Sequence, residues 1–293
     1  MWSLLQIELF KIFRKSRTYI SFGAIAAMVI IIQAALKYDG KSYIEFLIGG
    51  LKDSLEIPYD HILNGYFVCF IILNLLLIHI PLLIALVAGD SIAGEANMGT
   101  LRLLVSKPVS RTKLMLVKFA ATVIYTAMLL IWLAFISLAL SILFFGTNDI
   151  LIARNDSLEI IRQNDVMWRY LAAFAYATVA LSTVAALAFL LSVFAENSIG
   201  PIVSTISIVI VFTLLSEMQI PLYDRTIKPF LFTSHMLAWK GFFYTKVDAG
   251  GSAIPGTIEN LQAIMKSFWV LIAYIAGFVS SAIIIFNRKD ILS

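Results

Sequence analysis

Six stretches of this chain, each close to the ~20 residues a helix needs to cross a hydrocarbon core, contain no Lys, Arg, Asp or Glu. They are residues 18–36, 66–88, 119–145, 170–194, 199–216 and 267–286. A backbone in lipid must satisfy its own N–H and C=O groups, and uninterrupted helices achieve that. The expected fold is therefore all-α and polytopic, with six transmembrane helices forming a single domain over 1–293. Composition excludes the main alternative. Hydrophobic residues make up 60% and charged residues 14%, with a mean hydropathy of +0.92, against roughly 45–50% and 25% in soluble chains. A soluble enzyme is ruled out. The first stretch is too long for a cleavable signal peptide and lacks a small-residue cleavage pattern after it. Residues 227–244 are apolar and aromatic but short and interrupted by Lys240. They read as a re-entrant or interfacial segment rather than a seventh span.

The net charge of +4 does not signal nucleic acid, because the cations sit at span edges. Six spans put both termini on one side. If that side is cytoplasmic, its cations are Lys11, Arg14, Lys15, Arg17, Arg102, Lys107, Arg111, Lys113, Lys118, Arg288 and Lys289, eleven of the 22 in the chain. These crowd against span ends, while the others are spread over longer loops, so the positive-inside rule favours cytoplasmic termini in a plasma (bacterial inner) membrane.

The connecting segments carry further pattern. In residues 1–17, Trp2, Leu5, Leu9, Ile12 and Phe13 share one helical face, and Glu8, Lys11, Arg14 and Lys15 the other. Such a helix reads either as a topology anchor in the headgroup plane or as an elbow that also touches a partner. The segment 89–118 is far longer than a connection requires. Asp90 and Glu95 follow span two, Gly99 and Thr100 punctuate, and Thr100–Val105 reads as a short apolar turn or helix carrying Arg102. Pro108 breaks it, and Ser110 is placed to cap a helix running through Lys118 into span three. In the short loop 195–201, Glu196 and Asn197 end one helix and Gly200–Pro201 start the next. The outer loops 37–65, 146–169 and 217–266 read equally as caps on a substrate exit, docking surfaces for an accessory protein, or plain linkers.

Several chemistries have no residues to perform them. There is no GxxxxGK[ST] string; the nearest, from Gly251 to Thr257, has threonine where lysine belongs. The chain is not expected to be an enzyme, nor to bind a cofactor, metal or nucleic acid. His61, His79 and His235 lack zinc-site spacing, and Cys69 is the one cysteine. His79 is expected to make a helix–helix hydrogen bond. The spans hold no ionisable carboxylate or cation of the kind ion-coupled carriers use. Their mild polar groups (among them Gln33, Asn74, Thr183, Ser192 and Thr205) fit interhelical hydrogen bonds. The small residues of span four, including Ala173, Ala177, Ala185 and Ala188, fit close helix packing.

The run Glu95, Gly99-Thr100-Leu101, Leu103-Leu104 and Pro108-Val109-Ser110-Arg111 resembles the signature of ABC-2-type permeases, the membrane subunits of type-2 ABC exporters. The N-terminal amphipathic helix, six spans, hydrophobic stretch before span six and terminal Asn287-Arg288-Lys289-Asp290-Ile291 are similar in organisation. One departure is Ala96-Asn97-Met98, where the family often carries a more charged run. The resemblance implies that 89–118 is a coupling segment docking on a separate cytoplasmic ABC ATPase subunit. Asp90, Glu95, Gly99, Thr100, Arg102, Pro108, Ser110 and Arg111 would carry that contact, with Glu196 a weaker second one. It further implies a second permease copy, identical or different, with ATP and magnesium bound by the ATPase. The substrate would be amphipathic, lipidic or peptidic, on a path lined mainly by spans one, two and five. The competing function is a membrane scaffold that assembles an envelope machine without moving a solute.

Overall fold

The computed structural model describes residues 1–48, 62–101, 109–154, 157–218, 226–246, 248 and 253–289. Helix α1 (Trp2–Arg14) ends at Lys15, whose extended backbone turns the chain into α2 (Ser16–Ile48). There follow α3 (Gly65–Ala88), α4 (Asp90–Asn97), α5 (Arg111–Phe145), strands β1 (Ile150–Arg154) and β2 (Ser157–Ile161), α6 (Gln163–Phe194) and α7 (Ile199–Glu217). A broken segment of two 3-10 turns, Lys228–Phe230 and Leu237–Phe243, flanks the short α8 (Phe232–Met236), and α9 (Leu261–Arg288) closes the chain. Among the described residues, six helices are long and apolar enough to cross a membrane. The chain is a mostly helical, multi-pass membrane protein.

Helix α6 is the axis of the bundle. It packs on α3, α5, α7 and α9, and its small residues explain why. Ala173, Ala177, Ala180, Ala185, Ala186 and Ala188 are all buried, so neighbouring backbones approach closely, as packing between helices in lipid requires. Helix α2 lies against α3 and α5, and α7 against α3 and α6. Gln33 of α2 donates to the Ser141 hydroxyl of α5 at 2.9 Å, the interhelical bond expected of it. Asn74, Thr183, Ser192 and Thr205 instead bond carbonyls three or four residues back on their own helices. His79 does the same, meeting the Leu75 carbonyl at 2.7 Å from an exposed position. This corrects the helix–helix bond expected for it; its ring lies on the outer face of α3.

The helices run beyond the apolar stretches. Helix α5, at 35 residues, is about 52 Å long at 1.5 Å per residue, well over a ~30 Å hydrocarbon core. Its first two turns, up to Lys118, therefore project as a stalk. The purely α expectation also needs correcting. Residues 146–169 hold an antiparallel hairpin, Ile150 opposite Ile161 and Arg154 opposite Ser157, with Ile150, Ile152 and Ile161 buried. It is locked to α3, since the Gly65 N–H donates to the Gly146 carbonyl and the Asn64 amide to that of Asp149.

The segment 227–244 does not form a span. It folds into the bundle as broken turns, with Phe232, Trp239 and Phe243 buried. Three helices each reach it with a hydroxyl. Tyr176 of α6 donates to the His235 carbonyl at 2.7 Å, Tyr274 of α9 to that of Phe230 at 2.5 Å, and Ser216 of α7 shares a hydrogen bond with Thr233 at 2.8 Å. Non-helical backbone inside a membrane protein needs such partners.

Candidate functional site

At the end of the bundle that carries both termini, α4 leaves α3 almost without a break and packs against α6 and α7. Its acids are not displayed to solvent. The Glu95 carboxylate pairs with Lys11 of α1 at 2.9 Å and with Lys118 of α5 at 2.8 Å. Both lysines also hold Glu8 of α1, at 2.8 Å and 2.9 Å. Lys118, whose side chain is only 2% exposed, donates in addition to the Ser91 carbonyl at 3.3 Å. Asp90 forms the second half of the knot. Its Oδ2 accepts from Lys15 at 2.5 Å and Arg17 at 2.9 Å, and its Oδ1 accepts from the Ser198 hydroxyl of the loop between α6 and α7. Three carboxylates and four cations thus join α1, α2, α4, α5 and the 195–198 loop.

Local sequence explains the geometry. Gly94 has no side chain because the Asp90 carboxylate folds over its Cα; a Cβ there would collide with that carboxylate. Gly99 has φ +68°, the left-handed region that glycine adopts without strain. The turn it makes lets the Thr100 N–H and hydroxyl both bond the Glu95 carbonyl, ending α4. Leu101 then drops into a small apolar cluster with Ile92, Met115, Phe189, Val193 and Phe286. Ser110 caps α5 as the sequence suggests, accepting from the Lys113 N–H at 3.3 Å. Arg111 turns toward the end of α9, its Nη1 donating to the carbonyls of Asn287 at 3.2 Å and Lys289 at 2.9 Å. A guanidinium there satisfies orphan carbonyls at a helix C-terminus. Lys289 in turn donates to the Val193 carbonyl of α6.

Protonation follows from this packing. Burial pushes the Glu8 carboxyl up, but Lys118 and Lys11 outweigh it, so Glu8 titrates below its ordinary 4.5. Lys11 is pulled down by burial and held up more strongly by its hydrogen bonds to Glu8 and Glu95, so it titrates above its ordinary 10.5. Glu8 and Lys11 therefore both stay charged across the neutral range.

Of the residues singled out in sequence, the structure brings Asp90 and Glu95 into one network and uses Gly99, Thr100, Ser110 and Arg111 to shape and anchor the segment around it. Arg102 and Pro108 lie outside the described residues. Glu196 is exposed and outside the network; its neighbour Ser198 makes the inward contact. Sequence reasoning missed Glu8, Lys11, Lys15, Arg17, Lys118 and Ser198 as site members. The polar face of α1, expected to face headgroups, turns Glu8 and Lys11 onto protein, while Trp2, Ile7 and Phe10 are exposed. A single acid among the cations of α1 was the available signal. Among the described residues, no group of three or more His, Cys, Asp or Glu side chains is placed to hold a metal ion.

Fold and site together define a multi-pass membrane protein whose terminal end is cross-tied by buried charge. The chain belongs to the family described as Protein of unknown function (DUF2705), the match covering residues 23–292 and hence Asp90, Glu95, Lys118 and Ser198. It is also similar to "Uncharacterized protein YhcI" of Bacillus subtilis (strain 168), with 26% identity over 211 residues. That alignment takes in 70% of this chain and 63% of the relative, so the chain spans less than two thirds of the relative's length.

Proposed function

We propose that this protein is the membrane-spanning permease subunit of an ATP-binding cassette exporter, worked by separate cytoplasmic ATPase subunits that bind ATP and magnesium. The buried charge knot carries this reading. A loop that only joins two spans needs no buried ions, whereas a lever must move as one piece with the helices it drives. Lys118 and Glu95 fix α4 to the stalk of α5, and Lys11 and Lys15 fix α1 to α4. A push on α4 therefore reaches the third span directly and the first through Arg17. The resemblance of Glu95–Arg111 to ABC-2-type permeases agrees with that role, and the concentration of cations near this end agrees with cytoplasmic termini in a plasma membrane.

On this reading Asp90 and Glu95 hold the lever together, and exposed neighbours meet the ATPase. Met98 is 59% exposed at the tip of α4, and Glu196 is exposed in the loop between α6 and α7. Working units contain two permease copies and two ATPases, with an amphipathic, lipidic or peptidic cargo. The double variant Met98→Glu, Glu196→Lys is expected to insert and fold normally but to lose most of its stimulation of ATP hydrolysis, roughly tenfold or more, since hot-spot residues at an interface cost ~2 kcal/mol each. Unchanged stimulation would remove these residues from the contact. Glu95 is unsuitable for such a test, because reversing its charge breaks the knot itself.

A further inference from the structure

Away from the charge knot, α3, α6, α7 and the broken segment line a partly open cavity of about 110 Å³. Its construction is periodic. Leu77, Ile78 and Pro81 face it from α3, and Val209, Thr213 and Glu217, each four residues apart, face it from α7. Ala177 and Ala180 of α6 leave the room, since a larger residue at either would fill it. Trp239 and Lys240 close the side formed by the broken segment. The walls are apolar except for Asn74 and the threonines, and two opposite charges: Lys240, partly buried, and Glu217, at the end of α7. Neither makes an ion pair or hydrogen bond among the described residues.

Glu217, exposed at the end of α7, and Lys240, half-buried, thus border the apolar walls with no partner among the described residues to compete with a ligand, and an apolar cavity with a few convergent polar groups is the common form of a small-molecule site. An acyl chain alone would leave both charges unused, and a purely anionic headgroup would meet Glu217 with like charge. We infer that this cavity binds one zwitterionic amphipath of the ethanolamine-phospholipid class. The phosphate would lie toward Lys240, the ammonium toward Glu217, and the first part of an acyl chain along Val209, Ala180 and Pro81. The site is a property of this chain alone and does not rest on the exporter reading.

The test is native mass spectrometry of the full-length chain in detergent, titrated with lysophosphatidylethanolamine or lysophosphatidylglycerol. The expected result is binding of the ethanolamine lipid at a concentration roughly tenfold lower than the glycerol lipid. Lys240→Gln and Glu217→Gln should each reduce that preference and the pair should abolish it. Thr213→Phe, which fills the apolar wall, should weaken both lipids alike. Helicity by circular dichroism checks that each variant is folded. Equal binding of the two lipids, or an unaltered preference in the folded double variant, would overturn the inference. A chase with two-chain phosphatidylethanolamine separates the sources. Displacement marks a bilayer lipid as the occupant and resistance a single-chain cargo, and either places the headgroup at this site.

Discussion

Lys118 donates to Glu8 and to the Ser91 carbonyl and forms an ion pair with the Glu95 carboxylate at 2.8 Å. Removing it leaves two buried carboxylates sharing Lys11. Lys118→Met should destabilise the chain by about 3–5 kcal/mol, the usual penalty for leaving a buried charge uncompensated, as read from thermal unfolding in detergent. The pH dependence has a definite sign. Glu8 titrates lower when folded than its ordinary 4.5, so its contribution is complete above that value and is lost as pH falls through the lowered one. Lys11 titrates above 10.5, so its contribution is complete below that value and is lost as pH rises through the raised one. A stability plateau between these arms is expected, and Lys118→Met should move the acid arm toward neutral pH. An acid arm that stays in place would show that Lys118 does not hold Glu8 charged. Sequence alone made Asp90 and Glu95 conspicuous as acids beside a span. Glu95's partners Lys11 and Lys118 lie 84 and 23 positions away, and Asp90 pairs with Lys15 and Arg17 near the N-terminus, so only the tertiary fold selects which cations reach inward. His79 failed as a prediction for the same reason, since a polar residue in a span can satisfy itself on its own helix.

At the scale of elements, hydropathy located all six spans but not the helix ends. It stops where polar residues begin, whereas α5 starts at Arg111 and α6 at Gln163, helix continuing past the hydrocarbon because backbone hydrogen bonds do not depend on polarity. The hairpin went unread because five-residue strands carry too little alternation to stand out among apolar runs. The broken segment was legible as too short to span, but its fastening was not. Arg169, fully buried, pairs with Asp165 at 2.6 Å and donates to the Phe242 carbonyl at 2.6 Å and the Thr257 carbonyl at 2.9 Å. Asp165 also accepts from the Gly256 N–H at 3.0 Å. One ion pair thus clips both sides of the segment's exit to α6. Arg169→Met should leave six-span insertion intact while raising hydrogen exchange at residues 228–243 by at least an order of magnitude, as expected for local opening on loss of a tie worth more than ~1.4 kcal/mol. Unchanged exchange there would assign the fastening to the aromatic packing of Trp239 and Phe243 instead.

For the whole molecule, the apolar sequence dictates a bundle around α6, and the remaining charge is gathered largely at its ends. The number and order of the spans were readable because lipid imposes strict rules on helix length and apolarity. The proposed function turns on an ATPase partner that the sequence implies by resemblance, and Arg102 and Pro108, two of the residues assigned to that contact, lie outside the described residues. The most direct measurement is purification of the tagged full-length chain from its native membrane in mild detergent, followed by identification of bound subunits and assay of ATP hydrolysis. An ABC ATPase in stoichiometric amount, hydrolysing ATP faster with the permease than without it, is the predicted result. A chain that emerges with no nucleotide-binding subunit and moves its cargo unaided in vesicles would contradict the account.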